Sequence, residues 1–333
     1  MPDIPQQYWF IAGLVAFTCL VSLPLGIALL WNMPRAWPYQ AEYDSLPRQR
    51  NLASLRALGW CLLAAVVWQF LLDMLTVRYL LPRDMGADWL AKATVEQATI
   101  LIRGMVVEKV IWLAGVGAML LVWLVAAEDA AFVPLYRLVG LGVPRFYEVI
   151  WGILFWLILC PPLLLLQSLL IQFFPQLHPL MELLKRLKTT AAPGAFLGLF
   201  TWISLSVVIM APLTEELLFR GLLQNWLRRR LAVWSPPSPA IDPNMEQTEQ
   251  APRQFFGWER RLNQAAPAIV LTSLVFALMH LGQGPAPIPI FFLSLGLGLL
   301  FELTGRLWPG IVVHLMLNLT STILLWLELQ SLK

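Results

Sequence analysis

The chain has 333 residues, of which 59% are apolar and 13% are charged, about half of the roughly 25% charged content of an average soluble domain. This composition excludes an ordinary water-soluble globule and indicates a membrane protein. The net charge is only +3 and the basic residues are scattered, so we expect no nucleic-acid partner. The three cysteines lie in separate apolar runs, which excludes a disulfide framework and a thiolate zinc site.

Apolar runs of about 20 residues predict transmembrane helices, because such a helix matches the roughly 30 Å hydrocarbon layer. We therefore predict an all-α, polytopic membrane protein with about eight transmembrane helices. The runs are 9–31, 57–75, 106–127, 149–173, 194–211, 267–281, 287–303 and 307–327.

The chain divides into two predicted regions. Residues 1–148 hold about three spans and their loops, and residues 149–327 hold the five C-terminal spans. The longest hydrophilic break, residues 235–257, is rich in proline and polar residues, so it cannot bury a core and predicts a flexible loop within the second region.

Polar residues inside the apolar runs carry the functional signal, because a charge near the bilayer centre costs about 2.5–3.5 kcal/mol on insertion scales. The fifth run ends in Pro212, and Thr214 then precedes Glu215 and Glu216. We expect the proline to break or kink the helix and the threonine to cap a new one. Glu216 and Arg220 are four residues apart and pair on one face, whereas Glu215 points elsewhere.

Two of the three histidines also lie in apolar runs. Phe276 and His280 share a helix face in the sixth run, and His314 and Asn318 share one in the eighth. Each group alone reads as ordinary structure: a satisfied core histidine, or an ion pair at the interface. Together they predict convergence, because buried polar groups need partners. His178, in a connection, reads as a surface residue.

This set supports hydrolysis by either of two routes. A glutamate beside an imidazole can take a proton from water, with histidine and asparagine donors holding an oxyanion. Alternatively, Glu215, His280 and His314 have the ligand types of a catalytic zinc site. The residues leave this choice open.

Three motifs, Glu215-Glu216-xxx-Arg220, Phe276-xxx-His280 and His314-xxx-Asn318, occur in this order and resemble the signatures of the CPBP family, the CaaX protease and bacteriocin-processing, or Abi, intramembrane endopeptidases. The resemblance implies a multi-pass membrane protease whose catalytic core lies in the C-terminal five spans and opens toward the cytoplasm. Its substrate would be a protein or peptide, lipidated or membrane-associated, in contact with membrane lipid.

The resemblance also implies roles for the motif residues. Glu215 would be the general base, Glu216 and Arg220 would shape the site, and His280 would contact the water or a metal. His314 and Asn318 would supply a ligand and stabilise the oxyanion. The family has been described both as metalloproteases and as metal-free glutamate proteases, so zinc stays open.

Two other classes explain the same polar residues. A proton-coupled transporter would use buried Glu and His as a relay, although the two halves of the chain contain no repeated broken segments. A non-catalytic membrane scaffold or immunity protein would have the same fold without the reaction.

Loop charge predicts the orientation of the chain. Connections on one side contain thirteen Lys and Arg residues, and those on the other side contain eight. Since the more basic side is cytoplasmic, both termini lie outside and residues 235–257 lie in the cytoplasm. Protease should therefore cleave this loop in inside-out vesicles, and cleavage only from the opposite face would reverse the orientation.

Overall fold

The computed structural model describes residues 13–22, 24–26, 28, 52–80, 92–126, 139–175, 179–232 and 250–331. Within these ranges the chain forms helices joined by turns, without a strand. The all-α class predicted from the sequence is therefore confirmed.

Ten α-helices and three short π-helical segments follow one another in the described ranges. The α-helices are α1 (Leu52–Leu80), α2 (Val95–Ala126), α3 (Phe146–Phe173), α4 (Pro179–Thr190), α5 (Pro193–Ser204), α6 (Ala211–Glu216), α7 (Asn225–Ala232), α8 (Gln250–Leu278), α9 (Pro287–Thr304) and α10 (Trp308–Ser331). The π segments are Thr18–Ser22, Leu205–Met210 and Leu217–Gln224.

Six helical stretches of the described chain are long and apolar enough to cross a membrane. The described residues of the first and sixth predicted runs form shorter apolar helices, Gly13–Gly26 and Gln264–Leu278. The polytopic membrane class is confirmed, and the six long stretches overlap the other six predicted runs. They are Leu58–Thr76, Val95–Leu121, Phe146–Phe173, Pro193–Leu231, Pro287–Thr304 and Trp308–Ser331.

Residues 193–232 form one continuous helix, here called the long helix, in which α5, α6 and α7 alternate with two π segments. Of the two predicted outcomes at Pro212, the break is wrong, because Met210, Ala211 and Leu217 keep helical dihedral angles. The predicted N-cap is also wrong: the Thr214 hydroxyl donates to the Met210 carbonyl at 2.9 Å. A π turn precedes the proline, since the Ala211 N–H bonds the Ser206 carbonyl five residues back.

The predicted loop at 235–257 is wrong at its end, because residues 250–257 belong to α8. Proline is tolerated in the first turn of a helix, where its missing N–H has no partner to lose, so Pro252 does not prevent α8 from starting at Gln250. Residues 233–249, which make up most of this predicted loop, lie outside the described residues.

Helix α2 starts well before the predicted third span and carries charges that are partnered. The Arg103 guanidinium lies 5.2 Å from the centroid of the Trp202 ring. Buried Glu108, which the sequence analysis did not single out, accepts hydrogen bonds from Gln69 and Thr76 of α1. These contacts explain how α2 keeps charged residues within an apolar span.

Helices α3 and α10 pack closely along their length, as do α8 and α9. The α3–α10 contact depends on Gly152, since a Cβ there would lie 2.5 Å from the Val312 Cβ and 3.0 Å from the Pro309 carbonyl oxygen. This contact places α10, with His314 and Asn318, across the long helix.

We expect Gly152→Ala to lower the unfolding temperature in detergent. The added methyl group must displace a β-branched side chain and a backbone carbonyl, an overpacking cost of about 1–3 kcal/mol. Gly198→Ala is the matched control, because a Cβ at Gly198 meets no atom within 4 Å. Equal unfolding temperatures for the two variants would contradict this account of the α3–α10 contact.

Candidate active site

The predicted pair of Glu216 and Arg220 lies in the interior of the helix bundle. The Arg220 Nη1 is 3.2 Å from the Glu216 Oε1, and each side chain is 1% exposed. This contact is an ion pair without the alignment of a hydrogen bond, because Nη1 has no hydrogen-bond partner. The other terminal nitrogen, Nη2, donates to the Ser294 hydroxyl at 2.7 Å and to its carbonyl at 3.2 Å.

His314 of α10 lies against both glutamates of α6. Its Nδ1 is 3.1 Å from the Glu216 Oε1, and its Nε2 is 3.7 Å from the Glu215 Oε2. Because an ionised carboxylate only accepts, the first contact assigns the hydrogen to Nδ1. Gly310, one turn earlier, leaves room for this approach: a Cβ there would lie 3.3 Å from the Glu216 Oε2.

Phe276 of α8 joins the three motifs through its ring. The Arg220 guanidinium lies 4.9 Å from the ring centroid, which is a cation–π contact. The ring centroids of His280 and His314 lie 4.9 and 6.1 Å away, and that of Phe219 lies 4.8 Å away. The aromatic residue of the second motif therefore packs against residues of all three.

His280 lies just beyond the end of α8 rather than within a span. The helix ends at Leu278, and the His280 N–H bonds the Ala277 carbonyl in a tighter turn. The His280 Nδ1 is 2.7 Å from the Phe276 carbonyl oxygen. A carbonyl only accepts, so Nδ1 carries the hydrogen and the neutral ring leaves the lone pair of Nε2 for another partner.

Asn318 contacts the long helix rather than the glutamates or histidines. Its Nδ2 donates to the Val207 carbonyl at 2.9 Å. In the π register of this segment, the partner of that carbonyl would be the N–H of residue 212, which is a proline and has none. The Asn318 amide thus fills the place that Pro212 leaves, one turn before Glu215.

The two adjacent glutamates differ in exposure. The Glu215 side chain is 25% exposed, whereas that of Glu216 is 1% exposed. Neighbours on an α-helix are about 100° apart, so one carboxylate enters the packed interior and the other reaches an accessible surface. Glu215 is therefore the more accessible of the two carboxylates.

Glu215, His280 and His314 are the three predicted zinc ligands. No group of three His, Cys, Asp or Glu side chains within the described ranges is placed to hold a metal ion. The Nδ1 atoms of both histidines face oxygen acceptors, Glu216 for His314 and the Phe276 carbonyl for His280.

The sequence analysis missed polar residues that join the long helix to α9. Ser294, which bonds Arg220, was not considered, and neither was Gln224, which bonds Glu302. Equal spacing could have predicted these contacts. Ser294 and Glu302 are eight residues apart on α9, as Arg220 and Arg228 are on the long helix. His178 lies outside the described residues, so its predicted surface position is not addressed.

Comparison with known proteins identifies a family for this part of the chain. Residues 197–320 match the family model described as type II CAAX prenyl endopeptidase Rce1-like. The matched segment contains all three motifs, and the resemblance predicted from them is confirmed. The chain matches no curated protein and no solved structure.

We expect Arg220→Met to destabilise the protein strongly, because it leaves the buried Glu216 carboxylate without its partner. Breaking a buried pair costs about 3–5 kcal/mol. Lys185→Met is the matched control, because the Lys185–Glu328 pair is partly exposed, at 27% and 46%, and such pairs contribute about 0–1 kcal/mol. Comparable losses of unfolding temperature in detergent would contradict the assignment.

Proposed function

We propose that this protein hydrolyses a peptide bond at the membrane with water activated by Glu215, and the match of residues 197–320 to the type II CAAX prenyl endopeptidase family model supports this proposal. The observation that carries the proposal is the position of His314 between Glu215 and Glu216. A carboxylate next to an imidazole is an arrangement that can accept and pass on a proton.

Glu215 is the proposed general base. It is the more accessible of the two glutamates, and within the described residues no arginine forms an ion pair with it in the way that Arg220 does with Glu216. Glu216 instead orients His314 by accepting from its Nδ1. The pair of glutamates thus divides into a base that contacts water and an acid that positions the imidazole.

His280 is the proposed second contact of the water. The Phe276 carbonyl holds its Nδ1–H, so in the neutral ring Nε2 accepts a hydrogen bond from the water. Two acceptors, the Glu215 carboxylate and the His280 Nε2, would then direct the water oxygen toward the substrate carbonyl.

His314 and Asn318 are the proposed oxyanion donors. Asn318 has two amide hydrogens; one bonds Val207 and the other serves the substrate oxygen. His314 donates from Nε2 when both ring nitrogens carry a hydrogen. Donors of this kind typically contribute a factor of about 10²–10³ to the rate.

The proposed reaction has two steps, addition of water to the peptide carbonyl and cleavage of the C–N bond. Glu215 removes a proton from water as the water oxygen bonds the peptide carbonyl carbon, and the carbonyl oxygen becomes the oxyanion. The oxyanion then collapses, the C–N bond breaks, and the proton on Glu215 passes to the departing amine nitrogen. A carboxylic acid and an amine are formed, and Glu215 returns to its ionised form.

A prenylated peptide is the proposed substrate, in line with the prenyl endopeptidase family that residues 197–320 match. The long helix and its neighbours lie in apolar spans, so a lipid-anchored segment would reach the site from the bilayer. We also propose that the site opens toward the cytoplasm, in line with the distribution of basic residues between loops.

Zinc stays a prediction for this site, with Glu215, His280 and His314 as the ligands it would require. A zinc chelator tests it separately from the base. Activity lost on chelation and restored by zinc would support a metal. Activity unchanged by chelation would support the reaction on the protein's own residues.

Glu215→Gln should lower the cleavage rate by about 10²–10⁴-fold, the usual loss when a general base is removed. The amide keeps the shape of the side chain, so we expect an unchanged unfolding temperature. The assay uses purified protein and a panel of peptides ending in a CaaX sequence, each with and without a prenyl group on the cysteine.

Glu328→Gln is the matched control, because Glu328 forms a partly exposed pair with Lys185. A folded Glu215→Gln enzyme that cleaves at the wild-type rate would overturn the assignment of the base. A wild-type protein that cleaves no peptide of the panel but carries protons would favour the transporter, and one that does neither would favour the scaffold.

A further inference from the structure

A row of polar contacts joins the long helix to α9 beyond the three motifs. Arg220, Gln224 and Arg228 follow one another at four-residue intervals on the long helix. Each contacts α9 at a residue 74 positions later, and those positions also advance by four. We call these contacts the polar ladder, with rungs Arg220–Ser294, Gln224–Gly298 and Arg228–Glu302.

The first rung starts at the candidate active site. Arg220 donates from Nη2 to both oxygens of Ser294, and Ser294 is fully buried. The same guanidinium pairs with Glu216 and lies over Phe276. Ser294 therefore holds the arginine that neutralises the carboxylate bound to His314.

The second rung requires a small residue on α9. The Gln224 Nε2 donates to the Gly298 carbonyl at 3.0 Å and to the Glu302 Oε1 at 3.2 Å. A Cβ at Gly298 would lie 2.8 Å from the Gln224 Oε1. Gly298 thus lets the buried amide lie directly against the backbone of α9.

The third rung closes the ladder with an ion pair. The Arg228 Nη1 is 3.0 Å from the Glu302 Oε2, and the Glu302 side chain is 5% exposed. Glu302 therefore binds two side chains that lie one turn apart on the long helix, Gln224 through one oxygen and Arg228 through the other. Sliding either helix by one residue would break all three rungs together.

We propose that Ser294, Gln224 and Glu302 are positioning residues, which fix the register of the long helix on α9 and so place Arg220 and Glu216 for the reaction. This inference rests on the proposed function, because it concerns the same site. None of the three contacts substrate in this account: each acts through Arg220.

Positioning and mere stabilisation predict different results. Lost stability reduces the folded fraction and leaves the folded enzyme with the wild-type kcat and KM. A misplaced Glu216–Arg220 pair lowers kcat in the folded enzyme, because small displacements at a site cost up to about 10²-fold in rate. KM changes little when the lost interaction acts only in the transition state.

The test compares Ser294→Ala with Ser204→Ala. Both remove one hydroxyl, but the Ser204 hydroxyl bonds only the Phe200 carbonyl of its own helix. Steady-state cleavage of the best CaaX peptide is measured below the unfolding temperature of each variant. We expect Ser294→Ala to lower kcat roughly tenfold or more with KM within about twofold of wild type, and Ser204→Ala to match wild type.

Gln224→Met provides a second variant, with nearly the same length and without the polar rung, and the same loss of kcat is expected. Wild-type kcat in both folded variants would overturn the ladder while leaving the endopeptidase in place. If Ser294→Ala does not fold, Gln224→Met alone decides in the same way. Absence of cleavage by the wild-type protein would reject the proposed function itself, and the positioning role with it.

Discussion

Placing the Glu216–Arg220 pair inside an apolar helix bundle is the constraint on which the rest of the structure depends. Each desolvated ion costs several kcal/mol unless its charge and hydrogen-bonding groups are met. The charge of Arg220 is offset by Glu216 and by the face of Phe276 from α8, and its Nη2 donates to Ser294 of α9. The Oε1 of Glu216 accepts from His314 of α10. One ion pair thus draws four helical elements to one point, and the three motifs meet there because of it.

The irregular backbone of the long helix serves the same assembly. A regular α-helix satisfies its own carbonyl groups and offers none to a neighbour. The π turn before Pro212, together with the missing proline N–H, exposes the Val207 carbonyl, and Asn318 binds it. α10 is therefore held to the long helix at two levels, through Asn318 and through His314. π segments of this kind are frequent at functional sites, and this one fixes the height of α10 relative to the glutamates.

The sequence predicts those features that depend on local spacing. Run length predicts the helices, and the four-residue interval predicts the Glu216–Arg220 pair, because both follow from helix geometry. The sequence does not predict the contacts of Ser294 and Gln224. A serine and a glutamine in apolar runs look ordinary until their partners, 74 residues away, are known. The prediction of a break at Pro212 failed for a related reason. Whether a proline breaks a helix depends on which group bonds the carbonyl that it leaves free, and here that group is Asn318, which is distant in sequence.

In the proposed reaction, the two adjacent glutamates meet two different requirements. A base must meet water, whereas an orienting acid must be held where water does not compete for the imidazole. One carboxylate does not meet both requirements, because burial that strengthens its contact with His314 removes it from solvent. Consecutive positions on a helix point about 100° apart, so Glu216 enters the packed interior beside Arg220 while Glu215 stays at the accessible edge. His314 contacts both carboxylates. It therefore connects the buried Glu216, whose charge is paired with Arg220, to the more accessible Glu215.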